Sequence, residues 1–437
     1  MPTCRPEPHG RTAISTNTRH EFTATYFIET PIALEQAADV LAGEQSSGTF
    51  VRVAGETDAL RDRARARLLS IEQLEDVTLP TLPNDFLRRR EVSGPYHRGI
   101  IRVGFPIDNV GVNLPTLAAT AAGNIYDLGE LTAVRLLGLD LPRDYAASYQ
   151  GPRYGVAGTR RLIGIDTRPV IGTIIKPNVG LTPEDTATLV ARLCEAGVDF
   201  IKDDEVMANP PHAPFAARVA AVMRGVNAHA DRTGRKVMVA FNVSDETDAM
   251  RRHAELVAAA GGTCVMVSIN WVGLGGLETL RRSTDLAIHG HRNGFAMFTR
   301  CPGFGMDFAA YQVFWRLAGV DHLHVNGLSS KFWESDDSVA KSARACLCPI
   351  IGDDAVMPVF SAGQSAATVE KTWRALGSAD LIFLAGGGII GHPGGPAAGV
   401  ESIRAAWEAV TAGIPVQDYA HSHPALAAAL ARFGDAR

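Results

Sequence analysis

The chain has 437 residues, a formal net charge of −5 at pH 7 and 20% charged side chains. That length exceeds what one core usually organises, so two domains are expected, and a mildly acidic balance without a long Lys/Arg block excludes nucleic acid as the main partner. No apolar run reaches membrane-spanning length and the start MPTCRPEPHGRTAISTNTRHEF has no apolar secretion core, so a cytoplasmic location without a membrane partner is expected. Cys4, Cys194, Cys264, Cys301, Cys346 and Cys348 are scattered, which fits free thiols rather than disulfides, and Cys346-Leu-Cys348 lacks the second pair of a zinc site.

In chain order, FTATYFIET leads into the helix-like IALEQAADVLAGE, and IIRVGFPI into LPTLAATAAGNIY. Two strand-helix units with further strands predict an α+β, ferredoxin-like domain over residues 1–150. Turn formers in YQGPRYGVAGTRR predict a linker near residues 145–165. Then VIGTII, VDFIK, VMVAFNV, CVMVSI, AIHGHR, HLHV, VMPVFS and LIFLAG each precede an amphipathic run. Eight apolar strands alternating with helices predict an α/β fold, a (β/α)8 TIM barrel over residues 151–437, with a short Ala-rich helix in its tail.

A barrel of this kind carries its chemistry at the C-terminal strand ends. Lys176 follows the first strand, Lys202, Asp204 and Glu205 the second, and Asn242 ends the third. His289, His291 and Arg292 mark the fifth, His322 and His324 the sixth, Ser361 the seventh and Gly386-Gly387-Gly388 the eighth. The stretch DFIKDDE, residues 199–205, admits two readings. Lys202 and Asp204 point the same way on a strand, and the lysine either neutralises its carboxylate neighbours or, carbamylated by carbon dioxide, joins Asp204 and Glu205 as an oxygen ligand set for Mg2+. Residue types alone leave both open. Backbone N–H groups around Gly363 and the triple glycine can approach a phosphate because no Cβ blocks them, although tight turns use the same residues.

GTIIKPNVGL, AGVDFIKDDE, IHGHR, DHLHVNGLSSK and AGGGIIGHPGG resemble the signature segments of the large subunit of ribulose bisphosphate carboxylase and its carboxylase-like relatives (form IV). The resemblance begins near residue 22, includes LAGEQSSGTF, and runs to the last barrel helix. It implies Mg2+ held by a carbamate on Lys202 with Asp204 and Glu205. It implies proton handling by Lys176, His291 beside the metal, Arg292 at a phosphate, and His324 and Ser361 on the substrate. Lys331 would lie on a mobile loop, and Glu44, Thr49 and Asn124 would serve a neighbouring subunit's site, which implies a homodimer or higher oligomer.

Several positions depart from the carboxylase pattern. Ile174 stands for a threonine, Asn178 for a lysine, Phe50 for a tryptophan, and the loop reads NGLSSKFWE instead of a glycine-rich run. Carboxylation of ribulose bisphosphate is therefore not expected. A retained enediolate apparatus predicts decarboxylation or C–C cleavage of a phosphorylated 3-oxo sugar acid, of the 3-oxo-isoapionate 4-phosphate type. The alternatives are an enolase or isomerase of methylthiopentulose phosphates, and a non-catalytic scaffold. Trp271, Trp315, Trp373 and Trp407 are expected to be packing residues, and His212, His229 and His253 to lie on outer helix faces.

Overall fold

In the computed structural model the residues described are 20–48, 53–352 and 354–434; Thr49 and Phe50 lie outside them. The chain divides into two compact units, one of Met1–Tyr149 with Gly294–Leu317 and one of Gln150–Asn293 with Ala318–Arg437.

The first unit is built on strands β1 (Glu21–Thr30), β2 (Arg67–Gln73), β3 (His97–Pro106) and β4 (Ala133–Asp140). In β1 every second residue is buried, with Phe22, Ala24, Tyr26 and Ile28 on the core face, the pattern of a sheet covered on one side. Helices Leu34–Glu44 and Leu114–Ala122 follow β1 and β3, and neighbouring strands run antiparallel in the order β4-β1-β3-β2, the ferredoxin-like arrangement.

The second unit closes a barrel from eight strands, each where an apolar run predicts one. They are β5 (Val170–Ile174), β6 (Phe200–Lys202), β7 (Met238–Asn242), β8 (Cys264–Ser268), β9 (Ala287–His291), β11 (His322–His324), β12 (Met357–Phe360) and β13 (Ile382–Leu384). All neighbouring strands are parallel, and residues such as Val170, Phe200, Ala240, Met266, Val359 and Leu384 fill the interior. Burial on both faces explains why these strands read as continuous apolar runs rather than alternating ones.

Two features differ from the sequence reading. The residues expected to form a linker include a helix, Gly155–Ile163, closed by Gly164 in the left-handed region at φ 73°. Its Val156, Leu162 and Ile163 pack against the barrel core. The second difference is β10 (Phe304–Met306), which follows β9 in the chain but pairs in parallel with β4 in the first unit. It is anchored by Arg135, which reaches Asp307 at 2.6 Å and the carbonyls of Cys301 and Phe304 at 2.8 and 3.0 Å. A three-residue strand carries too little periodicity to be recognised from sequence. The Ala-rich tail does form a helix, Pro424–Phe433, and among the described residues no helix is long and apolar enough to cross a membrane.

Candidate active site

Strand alternation at the end of β6 decides the site. Lys202 is buried, and its Nζ donates to the carbonyl of Asp203 at 2.8 Å and to Oε2 of Glu205 at 3.1 Å. Asp204 lies on the same side and accepts from Nζ of Lys176 at 2.7 Å; that amine also donates to Oδ1 of Asn178 at 2.7 Å. His291, at the end of β9, brings Nε2 to 3.4 Å from Oε2 of Glu205. Asn242, at the end of β7, donates to the carbonyls of Asp204 and Glu205, each at 3.2 Å, and so pins the segment that carries both carboxylates. Lys176, Lys202, Asp204, Glu205 and His291 thus form one cluster. Asp203 faces the other way and belongs to a separate anchor with Arg218.

The electrostatics suit an amine that reacts. Burial pushes the Lys202 ammonium below the usual lysine range, with Glu205 and Asp204 opposing that shift. Burial also raises Glu205, but the nearby Lys202 charge outweighs it and holds this carboxyl below its ordinary range. His291 is held neutral by burial and by the charge of Lys202. Among the described residues no group of three His, Cys, Asp or Glu side chains is arranged to hold a metal ion. The donor set is two carboxylates and an amine, and it fits an oxygen-seeking cation once that amine becomes a carbamate.

A second cluster surrounds Arg292. Its Nη2 donates to Oε2 of Glu334 at 2.5 Å, with both side chains buried. Glu334 also accepts from Nδ2 of Asn326 at 2.7 Å and from the Ser338 hydroxyl at 2.8 Å. No sequence signal marks Glu334, because its partner Arg292 lies 42 residues away. Lys331 is exposed, with Nζ 5.3 Å from the Phe332 ring centroid, and among the described residues it does not join the Lys202 cluster. Trp271 is 63% exposed and so is not a packing residue, and His229 is buried against Glu195.

His324 and Ser361 meet at the ends of β11 and β12, with Nδ1 3.2 Å from the hydroxyl oxygen. His289 and His322, expected at the rim, are instead fully buried in the barrel. In the first unit, Nδ2 of Asn124 donates to Oε1 of Glu44 at 3.1 Å, so these two share one position, while Thr49 is outside the described residues.

The glycines separate by environment. Gly363, after β12, has φ 88°, which favours glycine. Gly386-Gly387-Gly388 open a short helix, Gly386–Ile390. A Cβ on Gly388 would lie 2.5 Å from the carbonyl oxygen of Gln364 and 2.8 Å from Cα of Ser365, whereas one on Gly387 would meet nothing within 4 Å. Gly388 is therefore what lets the turns after β12 and β13 touch. Gly388→Ala is expected to cost about 1–3 kcal/mol in urea unfolding, and Gly387→Ala to leave stability unchanged or slightly raised.

The chain is similar in sequence and fold to known proteins. Residues 155–433 match the family model of the ribulose bisphosphate carboxylase large chain, catalytic domain, and residues 15–145 that of its N-terminal domain. The chain is 50% identical over 409 residues to a 3-oxo-isoapionate-4-phosphate transcarboxylase/hydrolase of Xanthobacter autotrophicus, covering 93% of this chain and 98% of that one. It is 45% identical over 418 residues to a 3-oxo-isoapionate-4-phosphate decarboxylase of Rhizobium rhizogenes, covering 95% and 99%. Among solved structures it is similar to a rubisco-like protein from Burkholderia fungorum, with 56% identity, a TM-score of 0.90 and coverage of 94% and 99%.

Proposed function

The chain belongs to the ribulose bisphosphate carboxylase large-chain family as a RuBisCO-like protein, and on that premise we propose that it decarboxylates a phosphorylated 3-oxo sugar acid of the 3-oxo-isoapionate 4-phosphate type. It is an enzyme and not a true carboxylase, in keeping with the names of its relatives at 45–50% identity. The observation that carries the reading is the buried Lys202 amine, held beside Glu205 on the same strand end as Asp204.

Lys202 as its carbamate, Asp204 and Glu205 would hold Mg2+, which would supply Lewis-acid stabilisation of the negative charge that develops on the substrate. The bond between the 3-oxo acid's carbon and its carboxylate breaks, carbon dioxide leaves, and the electron pair passes into an enediolate. Lys176, an ammonium in reach of Asp204, delivers the proton to the enediolate carbon and leaves as the neutral amine. His291 orients the substrate hydroxyl beside it, and Lys331 closes over the carboxylate from its loop. Gly363, Gly386 and Gly387 take the phosphate. Arg292 is engaged by the Glu334 carboxylate, which supports a substrate with one phosphate rather than two. His324 and Ser361 position the carbon chain. Glu44, Thr49 and Asn124 serve the site of a second copy in a homodimer.

A second reading has a specific observation behind it. The relative at 50% identity is named a transcarboxylase/hydrolase, which favours C–C cleavage with the carboxyl carbon retained in a product. One experiment separates the two. Purified protein is incubated with Mg2+ and bicarbonate, given 3-oxo-isoapionate 4-phosphate labelled with 13C at the carboxyl, and followed by NMR. Labelled carbon dioxide is the expected product; label retained in a product acid selects the second reading. Proton exchange on a methylthiopentulose phosphate, with the 3-oxo acid untouched, overturns both.

A further inference from the structure

Thr159, His322, His289, His324 and Ser361 form a continuous hydrogen-bonded chain through the barrel interior. It begins in the helix Gly155–Ile163, enters β11 at His322, its first residue, crosses to β9 and returns to β11 at His324, its last. The Thr159 hydroxyl oxygen lies 2.9 Å from Nε2 of His322, and Nδ1 of His322 lies 3.3 Å from Nδ1 of His289. Nε2 of His289 is 2.7 Å from Nε2 of His324, and Nδ1 of His324 is 3.2 Å from the Ser361 hydroxyl. All five residues are buried.

The direction of the chain follows from counting protons. Thr159 also stands 2.5 Å from the carbonyl oxygen of Gly155; a carbonyl only accepts, so the threonine proton points there. Toward His322 the threonine oxygen therefore accepts, and His322 carries its proton on Nε2. Its Nδ1 must accept, so His289 donates from Nδ1. Nε2 of His289 must then accept, so His324 donates from Nε2. The remaining Nδ1 of His324 accepts, and among the described residues the proton that reaches it is that of the Ser361 hydroxyl. Neutral imidazoles are required throughout. Burial supplies them, pushing His322 down to about 3 and His289 and His324 well below the usual histidine range. Every polar side-chain atom along this buried route then has at least one partner, which a fully connected network needs to be tolerated in a core.

We propose that Thr159, His322, His289 and His324 are positioning residues whose one-directional hydrogen-bond chain turns the Ser361 proton inward, so that Ser361 meets the substrate only as an acceptor. Such a group binds a sugar hydroxyl and cannot donate to a phosphate or carboxylate oxygen. His324 has both ring nitrogens engaged and acts through Ser361. The consequence for substrate choice rests on the function proposed above; the direction of the chain does not.

Neutron diffraction from crystals of the whole protein exchanged into D2O reads the chain directly. Deuterium on Nε2 of His322 and His324, on Nδ1 of His289, and on Ser361 facing His324 is expected; deuterium on Nδ1 of His324, or on both nitrogens of any of the three rings, overturns the proposal. Kinetics with the 3-oxo acid phosphate supply the second arm. Ser361→Ala is expected to raise KM about tenfold with the inhibition constant for inorganic phosphate unchanged. Thr159→Val is expected to raise KM several-fold, Thr159→Ser to leave it alone, and Thr159→Val to add nothing in the Ser361→Ala background. Equal loss of phosphate binding in Ser361→Ala, or a Thr159→Val effect that survives there, overturns the positioning role. A protein inactive on this substrate refutes the proposed function while the neutron result still decides the chain.

Discussion

Lys202→Ala is expected to lower the rate of carbon dioxide release by about a thousandfold or more, because several kcal/mol of charge stabilisation disappear with one ligand of the cation site. The other amine of the cluster, Lys176, is engaged by Asp204 and Asn178 and does not take its place. Asp204 and Glu205 alone are two carboxylates, and His291 is already beside Glu205. A carbamate carbon signal from 13C-bicarbonate should appear in the native protein with Mg2+ and be absent from the variant. Lys202→Arg, which keeps the charge but offers no amine that reacts with carbon dioxide, is expected to be equally inactive. A variant that keeps most of its activity would return Lys202 to the role of counter-ion for Glu205, the first of the two readings its sequence context allows.

The second large effect is on stability. Asp203→Ala is expected to destabilise the barrel unit by about 3–5 kcal/mol, lowering the melting temperature by roughly 10 °C, because it leaves the Arg218 charge buried without a counter-charge. Arg218 is fully buried; it reaches Oδ2 of Asp203 at 3.1 Å and donates to the carbonyls of Ala213 at 2.9 Å and Ala208 at 2.6 Å. The same Asp203 oxygen accepts the backbone N–H of Asn242 at 2.9 Å, joining β6 to β7 directly behind the site. Burial raises the Asp203 carboxyl above its usual range, with Arg218 opposing that shift. The double variant Asp203→Ala/Arg218→Met should be markedly more stable than the sum of the single losses, since it removes the charge and its partner together. Additive losses in thermal unfolding would show that the pair is not coupled.

The neighbours in KDDE thus have different roles. Alternation along a strand already places Lys202 and Asp204 on one side, and that much is legible in the sequence. What Asp203 meets on the opposite side is not legible, because Arg218 arrives from a separate helix, Phe215–Thr233. Asp199, at the start of the same stretch, goes to yet another group: it pairs with Arg168 at 2.5 and 2.8 Å and with Arg235 at 3.1 Å. Arg292 shows the same limit. Its residue type and place after β9 point to an anion, and the anion it meets in the fold is Glu334 of its own chain.

The barrel, its eight strands, the α+β character of the first domain and the strand ends that carry Lys176, Lys202, Asp204, Glu205 and His291 are legible in the sequence alone. Those features follow from local periodicity and strand polarity, and each is carried by a few consecutive residues. Only the tertiary structure decided that β10 joins β4, that the presumed linker is a helix under the barrel, that Glu334 takes Arg292, and that buried histidines tie Thr159 to Ser361. Each of these depends on which distant side chain lies within about 3 Å, and hydrogen-bond partners at that range are selected by packing rather than by spacing along the chain.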